Sequence, residues 1–135
     1  MYKSPSLDLH SQIKVAHWNI KGPQFAALHP LFETFAVGLA LHNDTIAERA
    51  VTLGAKAYGT TRHVAKASKL PEYPRTRRAT WSTSSSSPSA SRRTSRARAS
   101  RTVAEKHADT DTVDLFTQVI TEFEKHACLR ASLEG

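Results

Sequence analysis

Among the side chains able to bind a metal ion between His17 and Glu48, five stand out by type and spacing: His17, His29, Glu33, Asp44 and Glu48. Four of them form two pairs spaced four residues apart, His29/Glu33 and Asp44/Glu48. Imidazole and carboxylate together suit first-row divalent ions, iron among them, because a mixed nitrogen and oxygen set holds Fe²⁺ and tolerates Fe³⁺. In an arbitrary helix such pairs would be solvated surface charge. Arg49 then offers a salt-bridge partner for the acidic pair.

A spacing of four matters because of the element that carries it. From Phe25 to Leu53 the apolar residues Leu28, Phe32, Phe35, Leu39, Ile46, Ala50 and Leu53 recur at close to helical spacing. Both pairs therefore sit on one long predicted helix, and within each pair the side chains project from the same face. Glu33 and Asp44 are separated by about 1100° of helical rotation, so they point in nearly one direction, yet they stand roughly 16 Å apart along the axis. Metal–ligand bonds are about 2–2.5 Å long, so one chain cannot bring both pairs to one ion. Either there are two sites, or two copies of the helix lie antiparallel and each lends one pair to a shared site. A symmetric dimer with two sites is the economical solution.

The ordered stretches around these ligands resemble the Dps family, the mini-ferritins known as DNA-binding proteins from starved cells. They are His17-Trp18-Asn19, Lys21-Gly22-Pro23, Phe25, Leu28-His29, Leu31-Phe32-Glu33 and Asp44-Thr45-Ile46-Ala47-Glu48-Arg49. Leu53-Gly54, Gly59-Thr60-Thr61, Leu70-Pro71-Glu72-Tyr73-Pro74 and Asp109-Thr110-Asp111-Thr112-Val113-Asp114-Leu115-Phe116 extend the likeness, which covers roughly residues 8–74 and 104–135. The resemblance implies an all-α, ferritin-like four-helix bundle with a short helix in the long middle connection, assembled as a hollow homododecamer. It implies a ferroxidase that oxidises Fe²⁺, with hydrogen peroxide as the usual oxidant, stores ferric mineral and so protects DNA. The iron site would lie at the two-fold interface, with His17, His29 and Glu33 from one subunit and Asp44 and Glu48 from its neighbour. Asp109, Asp111 and Asp114 resemble the acidic residues of the family's iron-entry pore, with helix capping as the plainer role. Trp18 reads as interface packing, and His10, His42, His63, His107 and His126 as ordinary surface or core histidines.

At 135 residues the chain is the length of one domain with a single core. There is no run of 18 apolar residues, and the start lacks the apolar core of a secretion signal. Cys128 is the one cysteine, which excludes an internal disulfide and fits a reducing cytoplasm. Zinc-finger, phosphate-loop and dinucleotide patterns are missing. The expected setting is the bacterial cytoplasm, without a membrane partner.

The net charge of +7 belongs to one segment. Residues 75–101 hold eight arginines, thirteen serines and threonines, and no Asp or Glu, which leaves −1 for the rest of the chain once those eight are removed. With Trp81 as its one large apolar side chain, this stretch stands where the family's third helix belongs and reads as a basic loop unable to bury enough surface to order itself. Two explanations stay open. One is a genuine basic insert, which makes the alternative function a non-enzymatic, salt-sensitive DNA-compacting protein with the same fold and impaired assembly. The other is a frame-shifted reading of an ordinary helix, because GC-rich codons for Thr80 to Arg92 read one base earlier spell an amphipathic helix.

The remaining elements follow from local signals. A first helix over 7–20 carries His17, and it looks shortened at its N-terminus relative to the family, with most of the DNA-binding tail gone. The second spans about 25–54, with a start or mild kink at Pro30 and a stop at Gly54. A short helix fits 60–68. Asp109 to Thr112 supply N-cap side chains to a last helix whose stripe is Val113, Phe116, Val119, Ile120, Phe123 and Ala127.

Overall fold

The computed structural model describes the backbone of residues 2–3, 5–72 and 89–134, and the side chains of 6–72 and 94–126. The elements in chain order are β1 (Tyr2–Lys3), α1 (Pro5–Asn19), α2 (Phe25–Thr52), β2 (Ala57–Tyr58), α3 (Thr61–Ala67), α4 (Ser89–Lys106) and α5 (Thr110–Glu134). They divide into two compact units, Met1–Arg75 and Thr76–Gly135.

The first unit is built on a hairpin of α1 and α2. Leu9, Ile13 and Ala16 form the buried stripe of α1, and Phe32, Phe35, Ala36, Leu39 and Asn43 form that of α2. Spacings of three and four residues keep each stripe on one side of its helix. The turn between them uses Gly22 at φ +104, a left-handed conformation that costs a residue with a Cβ about 1–2 kcal/mol. Helix α2 runs uninterrupted from Phe25 through Pro30, which lies early enough to forfeit little hydrogen bonding. Its end is a Schellman closure around Gly54 at φ +82, where the Ala55 N–H donates to the Ala50 carbonyl and the Gly54 N–H to that of Val51.

Smaller elements fasten the hairpin's open end. β1 and β2 pair in parallel, with Tyr2 opposite Ala57 and Lys3 opposite Tyr58. Thr60 caps α3 by accepting the His63 N–H, and the Ser68 hydroxyl at its far end donates to the Asp8 carboxylate on α1.

The second unit is a hairpin of α4 and α5. Ala97 and Ala104, seven residues apart and on one face of α4, are buried, as are Thr112, Val119 and Ile120 of α5. Alanine lets two helix backbones approach closely, so the core face of α4 is made of small side chains. Asp109 caps α5, its Oδ1 accepting the Thr112 N–H at 3.1 Å and its Oδ2 the Thr112 hydroxyl at 2.5 Å. Just before it, Ala108 takes a left-handed φ of 55 in a second Schellman closure, with the Asp109 N–H on the Ala104 carbonyl and the Ala108 N–H on that of Glu105.

The expected elements 7–20, 25–54, 60–68 and the last helix are all present, within a few residues of those bounds. One expectation is corrected. Residues 89–101, read as part of a basic loop, are helical. Alanine and arginine are strong helix formers, no glycine or proline interrupts Ser89–Lys106, and burial of Ala97 and Ala104 replaces the missing large apolar residues. Arg98 also pairs with Glu124 of α5. Residues 75–88, including Trp81, lie outside the described residues, as do Tyr73 and Pro74 and the side chains of Ala127 to Leu129 at the end of α5.

Candidate metal centre

The α1–α2 hairpin brings three of the five expected ligands together. His17 sits in the last turn of α1 and His29 and Glu33 in the opening turns of α2, on either side of the Gly22 turn. The His17 Nδ1 lies 2.9 Å from the His29 carbonyl oxygen, and the His29 Nδ1 lies 3.2 Å from the His17 carbonyl oxygen. A carbonyl can only accept, so each Nδ1 carries a proton and donates it, and the lone pair of each neutral ring is left on Nε2. This reciprocal pair fixes both tautomers in the form that binds metal, the arrangement in which a backbone carbonyl orients a ligating imidazole.

The rings stack with centroids 3.8 Å apart, and Phe25 stacks on the other side of His29 at 4.7 Å. His17 is nearly buried, its Nε2 standing 3.3 Å from Glu33 Oε2. Ligands at about 2.1 Å in adjacent positions on one ion stand roughly 3 Å apart, so this nitrogen and oxygen are spaced as neighbouring ligands are. The same Oε2 accepts a hydrogen bond from Lys14 Nζ at 2.6 Å. That bond, opposed by partial desolvation and aided by the Lys14 charge, holds the Glu33 carboxyl below its ordinary 4.5.

Asp44 and Glu48 are exposed, further along α2. They share a stripe with Val37 and Leu41, which are 53% and 66% exposed, at spacings of three and four residues. Trp18, beside His17, is 68% exposed. As the side chains stand, no group of three or more His, Cys, Asp or Glu among the described residues is arranged to hold a metal ion. The reasons are visible: the two imidazoles face each other in a stack, Lys14 occupies Glu33, and the remaining carboxylates lie far along the helix. The donor chemistry of His17, His29 and Glu33, imidazole nitrogen with carboxylate oxygen, fits iron.

Lys14 is the residue that sequence reasoning missed. Its signal was present, a lysine one helical turn before His17, but nothing in the spacing showed that it would reach across to α2. The other histidines do not join the cluster. His63 stacks on Tyr58 with centroids 5.8 Å apart, and His126 lies 3.5 Å from Glu122 on its own helix. Asp109 serves as a helix cap, and Asp111 and Asp114 lie in the first turns of α5. Asn43, next to Asp44, is buried with neither amide atom hydrogen-bonded among the described residues.

A model of the ferritin-like domain matches residues 5–133. The "DNA protection during starvation protein" of Agrobacterium fabrum is 52% identical over 68 residues, half of this chain and 42% of that one, so the matched chain spans under half of that relative's length. Among solved structures, DpsC from Streptomyces coelicolor is similar with a TM-score of 0.88 at 27% identity, covering 98% of this chain and 78% of that one. The Dps protein of Vibrio cholerae O1, described as a member of a broad superfamily of ferritin-like diiron-carboxylate proteins, superposes with a TM-score of 0.82 at 27% identity over 96% of this chain and 82% of that one. With its all-helical hairpins and the match from residue 5 to 133, the chain belongs to the Dps family of ferritin-like proteins.

Proposed function

We propose that this protein takes up Fe²⁺ as a substrate and oxidises it at sites shared between two copies of the chain, as the basis for iron storage and DNA protection. The observation that carries this reading is the reciprocal His17/His29 pair, which holds both imidazoles in the metal-binding tautomer, with His17 Nε2 3.3 Å from the Glu33 carboxylate.

Each residue has a distinct task in this reading. His17 and His29 bind through Nε2 while their Nδ1–H groups stay on backbone carbonyls. Glu33 supplies negative charge against the metal. Asp44 and Glu48 come from a second copy, since 11 residues of α2 separate Asp44 from Glu33 and that is too far for one ion. The exposed Val37 and Leu41 between them are apolar surface that a second antiparallel copy would cover. Two ferrous ions give one electron each to hydrogen peroxide, which takes two protons and leaves as two waters. Consuming iron and peroxide in the same event limits hydroxyl-radical damage. A dodecameric cage would store the product, residues 1–135 would form one domain within it, and Asp111 and Asp114 would help line its iron entry. The setting we propose is the bacterial cytoplasm.

The test is stopped-flow oxidation of Fe²⁺ by hydrogen peroxide. The expected result is rapid oxidation with a ratio of two Fe²⁺ per peroxide, lost in His17→Ala and in Glu48→Ala. Equal rates in both variants and the parent would show that oxidation occurs elsewhere.

A further inference from the structure

Lys14 sits on α1 one helical turn before His17, and its ammonium lies 2.6 Å from Glu33 Oε2, the oxygen that stands 3.3 Å from His17 Nε2. One carboxylate oxygen therefore faces both the cation and the imidazole nitrogen. A divalent ion bound between His17 and Glu33 requires the charge and lone pairs of that same oxygen, and it repels an ammonium held beside it. The lysine head is compact, sits on a flexible four-carbon stem and is a quarter exposed, so it can retract into solvent.

We infer that Lys14 is a built-in competitor of the divalent cation: it holds Glu33 before metal arrives and must be displaced for metal to bind. This inference rests on the reading of His17, His29 and Glu33 as metal ligands. It assigns Lys14 the role of setting the affinity of that half of the site, so that metal is retained less tightly than the same ligands would hold it alone. Exposed or partly exposed pairs are weak, so relief of the competition is worth up to roughly a fivefold change in affinity.

The experiment is titration of the full chain with Co²⁺, an ion whose visible absorption reports its ligand set, followed by calorimetry and absorption. Lys14→Met removes the ammonium and keeps most of the side-chain volume. Lys21→Met removes an exposed charge near the same turn and controls for bulk electrostatics. Circular dichroism checks folding, and Lys14→Gln is a second neutral variant should the first unfold. The expected result is Co²⁺ binding about two- to fivefold tighter in Lys14→Met with an unchanged spectrum, and parental affinity in Lys21→Met and Lys14→Arg. Equal tightening in Lys14→Met and Lys21→Met would overturn the inference in favour of general charge repulsion. Unchanged or weaker binding in both neutral Lys14 variants would overturn it by making Lys14 a support for Glu33. If His17→Ala leaves Co²⁺ affinity untouched in the parent and in Lys14→Met alike, the ligand reading itself fails, and the role of Lys14 fails with it.

Discussion

At Glu33 Oε2 an ammonium and an imidazole nitrogen converge, and the pH behaviour of the hairpin follows from that contact. The Lys14 hydrogen bond lowers the Glu33 carboxyl from its ordinary 4.5. A carboxyl depressed in the folded state stabilises the fold above its unfolded value, and that contribution is lost as pH falls through the depressed one. The advantage of the parent over Lys14→Met in urea unfolding should therefore be present at neutral pH and should shrink as pH falls below 4.5. A difference that stays constant across that window would mean that Lys14 acts through packing of its stem. His17→Ala should lower Fe²⁺ oxidation at least tenfold, since loss even of an outer partner of a ligand typically costs 10–100-fold. Its fold should survive, which circular dichroism would show. The ligand types and the spacing of His29/Glu33 were legible in the sequence because helical periodicity fixes which side chains share a face. The stacking of His17 on His29 and the reach of Lys14 were not, because contacts between helices depend on rotamers and on the approach of the two axes, which periodicity does not encode.

Helix ends and small-residue faces decide the elements. Gly54 was readable as a terminator and Asp109 as a cap, and both do what their chemistry suggests. Ala108 occupies the equivalent left-handed position after α4 with φ 55, where glycine is the residue without a penalty. Ala108→Gly should thus stabilise the second hairpin by about 1 kcal/mol, seen as a rise in the melting temperature. A lower melting temperature would show that the closure tolerates Ala108 and that unfolded-state entropy dominates. Helix α4 was the element hidden from sequence reasoning. A hydrophobic pattern search looks for leucine, valine and phenylalanine, whereas Ala97 and Ala104 carry this face and arginines surround them. Composition pointed to a loop, while helix propensity and burial of small residues against α5 gave a helix.

For the whole molecule, the stripe of Val37, Leu41, Asp44 and Glu48 makes the strongest demand. Apolar side chains exposed on one helix beside two carboxylates suit a surface that another copy covers, and a symmetric oligomer covers it twice with one contact. The family match from 5 to 133 treats the chain as one ferritin-like domain, although its contacts gather into two hairpin units. Native mass spectrometry tests this directly. A dodecamer is expected, with subunits of 14.9 kDa if residues 75–101 are translated as written. A dodecamer of subunits with another mass would mean that the gene encodes a different third helix, the outcome that a one-base shift over Thr80 to Arg92 anticipates. A monomer at 14.9 kDa would leave Asp44 and Glu48 without the partner that the proposed shared site requires. Peroxide-driven iron oxidation should then be absent, and the arginines of α4 would be the feature left to explain, through salt-sensitive binding to DNA that disappears when 75–101 is deleted.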